Sequence, residues 1–216
     1  MWVVKLGGSL DVAGRLGEWA RALACAHTPL LAVPGGGAFA DGVRAAQRRW
    51  SVDDRSAHAM AVLAMEQMGH LLCALAPGLT GTKDVDAARL RAAGAGAQVW
   101  LPSRALLDGG RQDAGQIPAD WDVTSDSLAA IVAARLPAKG LVLVKSAPLR
   151  GPAATAAVLQ SRGVIDAAFH RFGARSGCPV WLLGNARPEA LLDLLAGDDR
   201  AAVRVQFDAP APPAGR

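Results

Sequence analysis

No run of apolar residues in this 216-residue chain is long enough to cross a membrane, and the chain opens directly on a strand-like segment. Neither a membrane span nor a targeting segment is therefore expected. There are three cysteines, Cys25, Cys73 and Cys178, widely spaced and set among apolar neighbours. An odd, scattered set argues against a disulfide framework or a cysteine metal site, and for reduced, buried thiols in a cytoplasmic protein. Lysine is scarce, with four residues, and the basic side chains form no Lys/Arg block. The net charge of +4 is carried by dispersed arginines, which suits an enzyme acting on anionic small molecules and not a nucleic-acid binder. No internal repeat is visible. A charged fraction of 19% against 51% hydrophobic residues excludes a disordered chain.

Short β-branched runs alternate with Ala/Leu/Arg-rich amphipathic segments, the pattern of βα units around a mainly parallel sheet. The predicted strands are 2–6, 30–33, 97–101, 141–145, 180–183 and 202–207. The predicted helices are 14–27, 38–49, 53–75, 124–136, 155–161, 165–175 and 188–196, with an extra helix somewhere in 81–96. A polar, glycine-rich stretch at 109–118 reads as a loop and lobe boundary. It divides a domain at 1–207 into parts of about 1–110 and 111–207, and the prolines beyond 207 mark a frayed tail at 208–216. Helix 53–75 is apolar on nearly every face, through Met60, Val62, Leu63, Met65, Met68 and Leu72. Such a helix needs cover on all sides. Its alanines and adaptable methionines favour a subunit contact, hence a homodimer or higher homo-oligomer.

Three clusters carry chemistry. Strand 2–6 holds Lys5 and runs into Gly7, Gly8 and Ser9; strand 30–33 runs into Pro34, Gly35, Gly36 and Gly37. Glycine turns after strands let backbone N–H groups face phosphate oxygens, and Lys5 adds a full charge. Two such turns suggest two phosphorylated groups held face to face, as in a kinase. The third cluster is Asp122, Thr124, Ser125, Asp126 and Ser127 at the start of an apolar helix. Thr124 or Ser125 suffices as a cap, and Asp126 complements the helix dipole. The surplus of polar groups gives Asp126 a second task, holding Lys5 and Lys145. Lys145 ends the apolar strand 141–145, where it would be costly if buried unpaired.

In this order, Lys5-Leu6-Gly7-Gly8-Ser9, Pro34-Gly35-Gly36-Gly37, Thr124-Ser125-Asp126-Ser127 and Val144-Lys145-Ser146 resemble the amino acid kinase family over roughly 1–207. The resemblance implies a three-layer αβα sandwich, an N-terminal part that receives the phosphoryl acceptor, and a C-terminal part that binds ATP with Mg²⁺. It implies that Lys5 neutralises the transferring phosphoryl group and that Gly7, Gly8 and Ser9 cradle ATP phosphates. It further implies that Gly35, Gly36 and Gly37 line the acceptor side beside Thr124, and that Asp126 organises the catalytic lysines. Lys145 is placed either on the ATP phosphates or beside the nucleotide, with Ser146 next to it. No side chain is expected as a metal ligand. Where relatives often continue into an Asp-Gly pair, this chain reads Ser146-Ala147-Pro148-Leu149-Arg150-Gly151. Arg150 either takes over a phosphate contact or marks a change in adenine recognition.

The segment Asp54-Arg55-Ser56-Ala57-His58, then Met65-Glu66-Gln67, together with Trp121 to Ser127, is similar to the kinases of methanofuran biosynthesis. Those convert (aminomethyl)furanylmethyl phosphate to its diphosphate. Arg55 and His58, three apart on one helix, would then read the acceptor phosphate, with Arg44, Arg48 and Arg49 as competing cations. Other acceptors within the family are a nucleoside monophosphate, isopentenyl phosphate or a carboxylate. Uridylate is disfavoured on the longer chain expected of its kinases. From a different class, the chain reads as a catalytically silent nucleotide-binding regulatory subunit.

Overall fold

The computed structural model describes the chain except residues 13, 88–89, 91–93, 95, 108–120, 148, 150, 186 and 208–216. One eight-stranded sheet organises the described residues. Its strands are β1 (Trp2–Leu6), β2 (Leu30–Pro34), β3 (Thr80–Thr82), β4 (Ala97–Trp100), β5 (Gly140–Lys145), β6 (Ala153–Thr155), β7 (Val180–Gly184) and β8 (Val203–Gln206), in the order β3-β4-β2-β1-β5-β7-β8-β6. All pairings are parallel except β7 with β8. The helices whose bounds lie within the described residues are α1 (Ser9–Val12), α2 (Leu16–Ala24), α3 (Gly37–Trp50), α4 (Asp54–Leu75), α5 (Ser103–Leu106), α6 (Ser125–Arg135), α7 (Ala156–Ser161), α8 (Phe169–Ala174) and α9 (Glu189–Leu195).

Strand side chains alternate between the two faces of a sheet, so each buried strand feeds two cores. Val4, Leu6, Leu30, Ala32, Val142 and Val144 pack with Trp19 and Leu23 of α2, Met68 and Leu72 of α4, and Leu191 and Leu194 of α9. Val3, Leu31, Val33, Leu141 and Leu143 pack on the other face with Leu128, Val132 and Ala133 of α6, Leu159 of α7 and Phe169 of α8. The result is the expected α/β architecture, helices on both faces of a mostly parallel sheet.

The six predicted strands all form. The two unexpected ones, β3 and β6, are three residues each at the sheet's outer edges, and neither carries a long apolar run. Of the region expected to hold an extra helix, Gly81 and Thr82 belong to β3, Ala87 and Leu90 are helical as expected, and 88–89, 91–93 and 95 lie outside the described residues. The boundary at 109–118 and the tail at 208–216 also lie outside them. The thiols are less enclosed than expected: Cys25 is exposed, and Cys73 and Cys178 are half-buried. Helix 165–175 starts late, at Phe169, because Asp166 is engaged elsewhere.

Helix α4 is covered on one side only. Ala57, Val62, Ala64, Met65, Met68 and Leu72 are buried, whereas Met60 is 36% and Leu63 47% exposed. Ala64 packs in a cluster with Ala57 of the same helix and with Ala40 and Val43 of α3.

Candidate active site

The two lysines meet because of strand parity. In the β1–β5 register Lys5 lies opposite Leu143, so Lys145, two residues further along β5, shares its face of the sheet. That is the face on which α6 packs, and Asp126 stands in the first turn of α6. All three groups are buried: Lys5 5%, Lys145 9% and Asp126 2% exposed. The Lys5 Nζ is 2.8 Å from Asp126 Oδ1, and Lys145 Nζ donates to Asp126 Oδ2. Two ammonium groups thus share one carboxylate at the carboxyl end of the central strands, where open α/β sheets take their ligands.

The cluster sets its own ionisation. Burial alone would raise the Asp126 carboxyl, but the charges of Lys5 and Lys145 outweigh it and hold it at about 2. Lys145 is pushed down to about 8, first by burial and then by the nearby Lys5 ammonium, against the opposing pull of Asp126 and Asp166.

The glycine turns close the sheet end from the other side. A Cβ on Gly8 would lie 2.5 Å from the Gly37 nitrogen, and one on Gly35 would lie 2.5 Å from the Gly8 nitrogen. Backbone meets backbone here, so only glycine fits. Gly37 adopts φ +50 at the start of α3, whose first turn leaves N–H groups without helical acceptors. The N–H groups of Gly7, expected to cradle ATP phosphates, and of Gly35, expected to line the acceptor side, are engaged with neighbouring strands. The Gly7 N–H donates to Val144 O at 3.0 Å, and the Gly35 N–H donates to Leu6 O at 2.9 Å. Gly8, Gly36 and Gly37 line the cleft, as does Ser9, whose hydroxyl lies 2.6 Å from that of Ser146 and ties the first turn to the segment after β5.

The cleft between these parts has a volume of about 420 Å³. Its floor is Lys5, Asp126 and Lys145, and Thr124 lies beside them. One wall is a stripe of α4, Asp54, His58, Ala61 and Met65, at helical spacing. His58 therefore lies in the cleft. Arg55, one step round the helix from Asp54, falls outside that stripe and is exposed, so the structure does not bring it to the site. The arginine that does line the cleft is Arg44, 4.3 Å over the ring of Trp121 and 2.9 Å from Asp41 Oδ1. Trp121 Nε1–H donates to Gln47 Oε1 at 2.7 Å, and Gln47 Nε2–H donates to Asp54 Oδ1 at 2.8 Å. Arg150 lies outside the described residues.

The cap of α6 is not the expected one. Thr124 occupies the N-cap position, but its side chain accepts no bond from the helix. Asp166 supplies the acceptor instead, and lines the cleft as well. Sequence reasoning passed over it because it lies 40 residues beyond Asp126 in a stretch read as helix. The turn at Gly163, φ +66, three residues earlier was the available signal.

The sequence pattern of the amino acid kinase family matches residues 1–148. Among proteins of curated function, none matches the chain in sequence. Solved structures share the fold, three kinases among them. The uridylate kinase from Archaeoglobus fulgidus superposes with a TM-score of 0.67 at 19% identity, covering 95% of this chain and 100% of that one. The UMP kinase from Ureaplasma parvum gives 0.65 at 14% identity, covering 95% and 98%. The UMP kinase from Bacillus anthracis gives 0.66 at 15% identity, covering 96% of each. Chain length therefore does not set this protein apart from uridylate kinases, contrary to the sequence-based expectation.

Proposed function

This chain belongs to the amino acid kinase family and is a phosphotransferase, and on that footing we propose that it transfers the γ-phosphoryl group of ATP to a small acceptor already bearing a phosphate. The acceptor that fits best is (aminomethyl)furanylmethyl phosphate, converted to its diphosphate. The observation that carries the reading is the buried Lys5–Asp126–Lys145 cluster between two backbone-tight glycine turns.

An acceptor phosphate is already anionic near neutral pH, so its oxygen attacks without losing a proton and no general base is required. A new P–O bond forms to that oxygen, the bond from the γ-phosphorus to the bridging oxygen breaks, and ADP leaves with the electron pair. Lys5 and Lys145 offset the charge that builds on the transferring group and the leaving oxygen, while the cleft holds the two reactants in line. The family implies Mg²⁺ with ATP, which when bound would offset charge on the nucleotide's phosphate oxygens, and no side chain is assigned to hold it.

At the acceptor end, the His58 imidazole and the cationic Arg44 supply donors for a phosphate, the Trp121 ring offers a flat apolar contact, and Asp41 and Asp54 offer carboxylates for an ammonium group. Arg55 could act only from outside the cleft. The proposed division is an acceptor-binding part at about 1–110 and an ATP-binding part at 111–207. The proposed assembly is a cytoplasmic homodimer or higher homo-oligomer through α4. A nucleoside monophosphate is the second reading, favoured by the full-length fold likeness to uridylate and UMP kinases.

Calorimetry with (aminomethyl)furanylmethyl phosphate and with UMP separates the two acceptors. The first ligand is expected to bind the wild type and to lose about tenfold or more in affinity in His58→Ala and in Arg44→Ala, roughly one charge-assisted contact each. Binding of UMP alone would replace the first reading with the second.

A further inference from the structure

The geometry points to Asp166 as a positioning residue: it fixes the first turn of α6 so that Asp126 stands where it can hold Lys5 and Lys145 together. The Asp166 carboxylate accepts four bonds from that turn. Oδ2 accepts from the Thr124 N–H at 3.0 Å, the Thr124 hydroxyl at 2.8 Å and the Ser127 N–H at 3.0 Å, and Oδ1 accepts from the Ser127 hydroxyl at 2.5 Å. These donors flank Asp126 on both sides in sequence. The backbone N–H of Asp166 then donates to Asp126 Oδ2 at 3.3 Å, the oxygen that also takes Lys145. One residue thus grips the helix start with its side chain and the functional carboxylate with its main chain.

A capping role alone needs one or two of these bonds, and the local Thr124 is already in place to supply one. Asp166 instead draws the Thr124 hydroxyl away from the helix and onto itself. It also adds a negative charge near Lys145. The groups that act on the Lys145 ammonium are Lys5 from β1, Asp126 from α6 and Asp166 from the segment before α8; Lys5 opposes its proton and the two carboxylates favour it. Asp166 therefore serves the lysine pair in two ways, by placing Asp126 and by favouring the charged form of Lys145.

The inference rests on reading the lysine pair as the phosphoryl-binding centre, but its test reads the lysines directly and needs no acceptor. The full chain labelled with [¹³C]lysine carries four lysines and gives four sets of Cε–Hε signals, of which Lys145→Arg identifies one. In the wild type the Lys145 signal should titrate near pH 8. Asp166→Asn keeps an oxygen for the donors of the α6 turn and drops the charge. In it the Lys145 midpoint should fall by about half a pH unit or more, with Lys83 and Lys139 unmoved. Asp166→Ala, which removes every side-chain bond, should lower it at least as far. A Lys145 midpoint that stays in place or rises in both variants would overturn the proposal. So would failure of both to fold, which would mark Asp166 as structural only. Acceptor binding measured on the wild type fails or succeeds independently of these outcomes.

Discussion

Lys145 sits between a carboxylate that favours its proton and a second ammonium that opposes it, so its charge is sensitive to pH in a way that a surface lysine's is not. Held at about 8 in the free enzyme, it is an ammonium below that pH and an amine above it. Under the proposed function, loss of the proton removes a positive charge from beside the ATP phosphates. The ratio kcat/KM for ATP, which reports the free enzyme, should therefore fall as pH rises through about 8. Bound nucleotide favours the charged form, so the alkaline limb of kcat should lie at higher pH. Rate profiles from pH 6 to 10 check this, and Lys145→Arg, whose guanidinium stays charged throughout, should show no such limb. For Lys5→Ala, the account expects a folded protein whose kcat is lower by about 10²-fold or more, the scale of removing one charge stabiliser from a transition state. Asp126→Asn should lose activity on a similar scale with little loss of helix stability, because Asp166 and not Asp126 supplies the cap bonds to α6. Steady-state rates beside thermal melts decide both. Activity that fell only in step with melting temperature would reduce Asp126 to a structural role.

At the scale of elements, the lysine pair and Asp126 were legible in the sequence because a period of two and a helix start are local patterns. Lys5 and Lys145 each end an apolar run, and the surplus of polar groups at Thr124–Ser127 pointed to a further task for Asp126. The edge strands β3 and β6 were not legible, since three residues hold too little pattern to stand out. Nor was the exclusion of Arg55: spacing of three placed it beside His58, but only the packing of α4 against α3 shows where the cleft stripe runs. That packing also changes how the proposed subunit contact should be probed. Leu63 lies on the uncovered side of α4, whereas Ala64 is buried against α3. Leu63→Glu should convert the proposed homodimer to monomers in light scattering while leaving the melting temperature near that of the wild type. Ala64→Glu should instead unfold the α3–α4 contact itself, at a cost of several kcal/mol, about 3–5, for an unpaired buried carboxylate. A wild type that scatters as a monomer at micromolar concentration would remove the assembly altogether.

Across the whole molecule, one sheet carries both halves of the proposed reaction site. Strands β1 and β5 lie side by side at its centre, bringing Lys5 and Lys145 to a common end although they are 140 residues apart in the chain. The alternation of apolar runs and amphipathic segments was enough to read this architecture. It could not give the Asp166 linkage, which depends on the turn before α8 meeting the start of α6, 39 to 42 residues earlier in the chain. It could not order the proposed acceptor wall either, where Arg44, Trp121, Gln47 and Asp54 meet only through tertiary packing. The proposed reaction is transfer of a phosphoryl group from ATP to an acceptor phosphate over the Lys5–Asp126–Lys145 cluster. The most direct measurement is ³¹P NMR of the protein with Mg-ATP and (aminomethyl)furanylmethyl phosphate, run beside UMP, isopentenyl phosphate and a carboxylate acceptor. The account predicts ADP together with the coupled phosphorus pair of a new diphosphate ester, formed by the wild type and not by Lys5→Ala. Turnover of the carboxylate alone, or a diphosphate formed equally well by Lys5→Ala, would contradict it.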